Sequence, residues 1–307
     1  MRLRQLKIRG LGSLPETDWI ALSVVTATLL RFPDKSVGRQ FLKAVQCINP
    51  PSDCRIDQPF KDLPLETVSA SGYRRVIAPE KRTIVFGIFD TPSSLVRELG
   101  AITPPLYETD RVEVGRRLDY SRWINFVEIA SSSRWSEVSE DIRNLLSQQS
   151  TEGDDASNIQ RLLTETAPSD RIKGAMLEQL ATWLTGLQSR LPEPGDLDDI
   201  LEKVLRANRF SEARALIERR LPQFLTGRYG EELQRLPHRK AIDNDYRALP
   251  VILIDCFDTA LLEETGTEIP ELLSNLAKHC QILCFAEHSF PGWNLEEAQI
   301  IDVAVLN

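Results

Sequence analysis

The chain has 307 residues, 42% hydrophobic and 27% charged, with a formal net charge of −8, a composition that supports a large buried core in one big domain or two moderate ones. The acidic balance excludes a protein that coats nucleic acid through bulk electrostatics, because counterion release needs a clustered basic surface. Five irregularly spaced cysteines do not make a disulfide framework, and no apolar run reaches the roughly 18 residues of a membrane span, so reduced thiols, a cytoplasmic location and no membrane partner are expected.

Taken in order, residues 1–9 alternate apolar and basic side chains and predict a strand, with Arg2, Arg4, Lys7 and Arg9 forming a local basic strip. Residues 18–22 and 24–30 predict two more strands. After the turn-like Pro33-Asp-Lys-Ser, the spacing of Phe41, Leu42 and Val45 predicts a helix over 40–46. Residues 49–78 are rich in Pro, Ser and Asp without a period and read as an irregular surface excursion. A strand over 83–89 follows, then a helix capped by Thr91, with Pro92 at its first position and Gly100 as its stop. Residues 111–114 predict a strand, and 123–146 a mostly helical stretch.

The polar tract 147–157 has linker character. Beyond it, Ile172, Met176, Leu180, Leu184, Leu187 and Leu191 recur at helical steps, as do Leu197, Ile200, Leu201, Val204 and Leu205, with a turn at 192–195. The end of the chain predicts strands over 251–254, 282–285 and 300–306 and a helix over 270–278. Continuous apolar runs bounded by helices suggest a mostly parallel sheet buried on both faces. The expected fold class is α/β, with helices in the middle of the chain.

On these residues the chain resembles the ABC-type ATPase heads of SMC, RecF and RecN-like DNA-maintenance proteins, which split their fold between the two chain ends and place a helical arm between. Leu3-Arg-Gln-Leu-Lys-Ile-Arg-Gly-Leu-Gly-Ser resembles their first strand, and Phe41-Leu-Lys-Ala-Val-Gln the helix after their phosphate loop. That register sets Phe32-Pro-Asp-Lys-Ser-Val-Gly-Arg-Gln on the pattern Gly-Pro-x-Gly-x-Gly-Lys-Ser-Thr. Only Pro33 matches. Gly38 falls where the Lys belongs, Arg39 where the magnesium-binding Ser belongs, and Lys35 and Val37 replace glycines that let backbone N–H groups approach phosphate. Charge-assisted hydrogen bonds contribute roughly 1.5–3 kcal/mol each. Losing about three removes about 5–9 kcal/mol, comparable with the roughly 8 kcal/mol of a micromolar ligand.

Three downstream segments resemble the family's motifs in the family's order. Phe224-Leu-Thr-Gly-Arg-Tyr-Gly-Glu-Glu-Leu, with Gly227, resembles the signature motif, but Leu225 replaces its serine. Pro250-Val-Ile-Leu-Ile-Asp255-Cys-Phe resembles the Walker B strand, with Asp255 in the magnesium position and Cys256 in the slot of the catalytic glutamate. Gln281-Ile-Leu-Cys-Phe-Ala-Glu-His288 resembles the last core strand and the switch histidine.

The resemblance implies a P-loop NTPase-like ABC/SMC head, with residues 1–146 and 222–307 as its two parts and 147–221 as a helical insertion. It implies a pseudo-ATPase, an interaction or scaffold subunit for an active SMC-like ATPase or a nuclease in DNA repair, processing or defence, or a homodimer. Pro33, Lys35, Arg39, Gly227, Asp255 and His288 are relic nucleotide positions. No catalytic residue and no metal ligand is assigned, and no cofactor is expected, with altered ATP/Mg contact left open. The alternatives are an active NTPase in which Asp255 holds metal and Lys35 or Arg39 replaces the missing lysine, and a helical adaptor working through 172–221. Leu253-Ile-Asp-Cys-Phe-Asp-Thr also resembles the nucleophile strand of haloacid-dehalogenase-like phosphatases, with too little chain downstream for their other groups. The set His279, Cys280, Cys284 and His288 invites zinc but lacks a close Cys pair. Tyr120, Trp123, Phe126 and Trp135 among arginines read as a helix face against the core, or as a nucleic-acid stacking strip.

Overall fold

The structure, a computed structural model, describes residues 1–9, 16–51, 81–102, 110–147, 153–188, 195–228, 250–257, 273, 276–277, 280–288 and 298–303. The chain forms two compact units. One comprises Met1–Pro92, Asp110–Val127 and Arg219–Asn307, the other Ser93–Thr109 and Glu128–Glu218. The sequence reading divides the chain at 146/147 and 221/222, whereas the helical unit begins at Glu128 and also takes in Ser93–Thr109.

The first unit contains two five-stranded sheets. One is antiparallel, in the order β2-β1-β4-β5-β6, from β1 (Arg2–Ile8), β2 (Ile20–Ala21), β4 (Thr83–Asp90), β5 (Arg111–Arg117) and β6 (Arg122–Phe126). Its strands alternate as a one-sided sheet should, with Leu6, Val114, Ile124 and Phe126 buried. The other is parallel throughout, in the order β10-β3-β9-β8-β7, from β3 (Ala27–Arg31), β7 (Phe224–Arg228), β8 (Val251–Asp255), β9 (Gln281–Ala286) and β10 (Ala298–Asp302). Every residue of β9 and the first four of β8 are buried, as an apolar run covered on both faces requires. Helix α1 (Lys35–Gln46) packs on β7, β8 and β9 with Phe41, Ala44 and Val45 fully buried.

Buried Gln281 ties the sheets together. Its Oε1 accepts from Leu3 N at 2.8 Å and its Nε2 donates to Leu3 O at 2.6 Å and Ser23 O at 3.0 Å. Arg116, also buried, caps the far end of α1, donating to Cys47 O at 2.6 Å and Ile48 O at 3.1 Å, where the carbonyl end of the helix dipole favours a cation.

The second unit is helical. It contains α2 (Ser93–Ile102), α3 (Ser139–Ser147), α4 (Asp154–Glu165), α5 (Ala175–Gln188) and α6 (Gly195–Arg220) except its last two residues. Trp135, Ile142, Ile159, Leu180, Leu184 and Val204 form part of its core.

Several elements differ from expectation. Helix α1 begins at Lys35 rather than residue 40, because Asp34 caps it and the turn-like residues already form its first turn. Residues 122–126 form a strand, with Ile124 and Phe126 buried at period two; helix begins only at Ser139, after a 3-10 turn at Trp135–Glu137. The four aromatics therefore share no helix face: Phe126 enters the sheet core and Trp135 the helical core. Helix α2 starts after Pro92 and runs past Gly100 to Ile102. Within the expected linker, Asp154–Ser157 form the first turn of α4. Most of the excursion at 49–78, the turn at 192–194, His279 and most of the helix over 270–278 lie outside the described residues.

Candidate functional site

The candidate site lies where β3 passes into α1, at the carboxyl edge of the parallel sheet. Strands β8 and β9 end on the same edge, since both run parallel to their neighbours, and in open α/β sheets this edge gathers functional side chains. Only three residues, Phe32, Pro33 and Asp34, join β3 to α1. Phe32 faces inward. It is buried, its N–H donates to Ala286 O at 2.9 Å, and its ring packs 5.0 Å from Phe41 and 6.1 Å, stacked, from Phe285. Its neighbour Pro33 is exposed.

The first turn of α1 has its N–H groups engaged. Asp34 Oδ1 accepts from Ser36 N at 2.9 Å and from Val37 N at 3.0 Å, and Glu287, just beyond β9, accepts from Lys35 N at 3.1 Å. The Gly38 N–H already closes the helix onto Asp34 O at 3.0 Å. A helix N-terminus is an anion site because these donors are otherwise orphaned. Here two carboxylates of the same chain take them.

One turn further, Arg39 reaches the end of β8. Its Nε lies 2.9 Å from Asp255 Oδ2, and its Nη2 donates to Oδ1 at 3.5 Å. Asp255 Oδ1 also accepts from Phe257 N at 3.1 Å. The Phe257 ring covers the start of α1, where a Cβ on Gly38 would stand 2.0 Å from its Cζ. A side chain at 38 would displace the ring that backs the Arg39–Asp255 pair. Burial pushes the thiol of the next residue, Cys256, far up, and its neighbour Cys284 and the charge of Asp255 push the same way. It stays protonated and apolar.

Arg39 and Asp255 are thus brought together, while Lys35 lies one turn earlier in α1, its N–H on Glu287, and Pro33 lies in the link. Gly227 sits differently. It lies inside β7, paired with Ile254, so the described part of the segment that resembles the signature motif, Phe224–Arg228, is a strand with Phe224 and Leu225 buried. His288 is exposed beyond β9 and makes no hydrogen bond among the described residues. Cys280 and Cys284 are buried free thiols, and among the described residues no three His, Cys, Asp or Glu side chains gather as a metal set.

Sequence reasoning missed Asp34, Glu287 and Phe257. Asp34 carries a legible signal, a capping residue directly before a helix. Glu287 carries none, because it reaches Lys35 only through the parallel pairing of β3 with β9.

No protein-family profile and no curated protein matches the chain. Among solved structures it is similar to the SMC head domain from Thermotoga maritima, at 13% identity over 100% of this chain and 96% of that one, with a TM-score of 0.37. It is also similar to an Smc head domain with an extended coiled coil, bound to the C-terminal domain of ScpA, from Pyrococcus furiosus (12% identity, 99% and 94% covered, TM-score 0.35). A third similar structure is an SmcHead bound to the C-winged helix domain of ScpA (13%, 100% and 95%, TM-score 0.33).

Proposed function

We propose that this chain is a pseudo-ATPase with an SMC-head-like body, serving as an interaction or scaffold subunit beside an active ATPase or a nuclease in DNA repair, processing or defence machinery. One observation carries the reading: at both places where the resemblance would seat a magnesium–nucleotide, the groups present are engaged by the chain's own side chains. Asp34 and Glu287 take the helix donors that a phosphate would use, and Arg39 puts a cation on Asp255. On this reading the seat does not fit a magnesium–nucleotide. A phosphate entering it must displace two carboxylates, each contributing charge-assisted bonds of roughly 1.5–3 kcal/mol, and then sit near three acidic groups.

Two further features support the reading. The sheet unit is assembled from the two ends of the chain, with the helical unit drawn from between them, as the resemblance implies. The catalytic-glutamate slot holds a buried thiol that cannot polarise water.

The test is calorimetric titration of the purified full chain with MgATP, paired with a phosphate-release assay. No heat of binding is expected up to about 1 mM nucleotide, a threshold corresponding to roughly 4 kcal/mol, and no turnover. Micromolar binding with metal-dependent hydrolysis overturns the reading.

A further inference from the structure

The outer face of the antiparallel sheet carries an aromatic row that neither the core nor the site at α1 uses. Leu6, Gly87, Val114 and Ile124 point inward and are buried, so the residues between them point out. Across four strands, Lys7 pairs with Phe86, Phe86 with Gly115 and Gly115 with Trp123. The absent side chain at Gly115 is what lets the indole lie down on the sheet, since a Cβ there would stand 2.3 Å from Trp123 Cε2.

The rings are held in place. Trp123 Nε1 donates to Thr83 Oγ1 at 2.9 Å. The Phe86 centroid is 6.0 Å from Trp123 and 6.1 Å from Trp19, both edge to face. Trp19, which ends the row, is 39% exposed and one of only two exposed large hydrophobics among the described residues. Cations surround the row. The Arg9 guanidinium stands 5.3 Å from the Phe86 centroid, Lys7 is directly across the strand pair, and Arg117 lies two residues from Gly115 on the same face. The neighbouring row on this face offers one carboxyl, Glu113, pushed up by burial.

A basic strip and a fixed ladder of rings together suit an anion that also presents flat apolar faces. The chain's net charge of −8 disfavours coating a duplex, where phosphate contacts dominate and the bases are already stacked on one another. Unpaired bases add the stacking that makes up the difference. We propose that this face binds single-stranded nucleic acid, with bases stacking on Trp19 and on the Phe86–Trp123 pair and phosphates meeting Lys7, Arg9 and Arg117.

The test is fluorescence anisotropy of labelled oligo(dT) and oligo(U) against the full chain, beside a hairpin duplex and a polyglutamate of matched charge. At least one single strand should bind, with duplex and polyglutamate at least about tenfold weaker. Trp19→Ala should weaken binding roughly tenfold or more, the loss of one stacked base, while Trp19→Phe keeps most of it. Lys7→Gln should lower the slope of log affinity against log salt by about 0.7. Unchanged thermal melts certify each variant's fold. The proposal is overturned if neither strand binds at about 100 μM protein, if polyglutamate binds as tightly, or if Trp19→Ala leaves affinity unchanged.

Discussion

Arg39 and Asp255, on α1 and at the end of β8, form an ion pair with Nε 2.9 Å from Oδ2, and the Phe257 ring backs it. The Asp255 side chain is 13% exposed and the Arg39 side chain 33%. At such burial the pair is neither a screened surface bridge nor a fully desolvated one. Arg39→Ala leaves Asp255 with the Phe257 N–H as its remaining partner in the pair's immediate surroundings, and should cost about 1–3 kcal/mol in urea denaturation. A double-mutant cycle with Asp255→Asn should return a coupling of about 1 kcal/mol or more. Coupling near zero would mean that solvent screens the pair.

Asp34 should behave as a helix cap first. Asp34→Ala is expected to lower stability by about 0.5–2 kcal/mol, and Asp34→Asn by much less, because an amide oxygen still accepts from the first turn. Freed donors should then take an external anion. The melting temperature of Asp34→Ala/Glu287→Gln should rise in sulfate more than the unmodified protein's does, against chloride at equal ionic strength. Equal responses would show that the carboxylates do not occupy the anion seat.

How much of this was legible depends on the range of the interaction. Strands β8 and β9 could be read from their apolar runs alone, because a strand buried on both faces needs no partner to be recognised. Trp123 and Phe126 misled because a spacing of three fits a helix as well as opposite faces of a strand, and the deciding feature, Gly115 beneath the indole, belongs to another strand. The site divides in the same way. Asp255 was legible as the polar end of an apolar strand, and the Asp34 cap was there to be read. The use of Arg39 as a counterion for Asp255 and of Glu287 as a second cap was not legible, since each joins residues more than two hundred positions apart.

Glu113 gives the protein a pH dependence of definite sign. Burial raises its carboxyl above the ordinary value, with the Asn125 hydrogen bond offsetting part of the effect. A raised folded-state value means that the group's favourable contribution is complete below the unfolded carboxylate value, about 4.3, and is lost as pH rises through the folded one. Glu113→Gln removes that loss. The variant should melt higher than the unmodified protein at pH 7 and together with it near pH 3, by paired thermal scans. A lower melting point at pH 7 would mean that the charged form is favoured on this face.

Gln281 should be a costly uncharged side chain to remove from the sheet unit. It serves one N–H and two carbonyls, on Leu3 and Ser23, in a place where the glutamine is 5% exposed. Gln281→Leu keeps the volume and strands all three groups, so about 2–4 kcal/mol should be lost, the sum of three ordinary hydrogen bonds. Gln299 performs a similar task closer to the surface, accepting from Ser23 N and Thr28 Oγ1 and donating to Ala21 O. Water can replace it there, and Gln299→Leu should cost about 1 kcal/mol or less. The order matters more than either value. If the two changes cost the same in denaturant titration, the sheets are held by apolar packing and the buried amide adds nothing; a gap of about 1 kcal/mol or more assigns the join between β1 and β9 to Gln281.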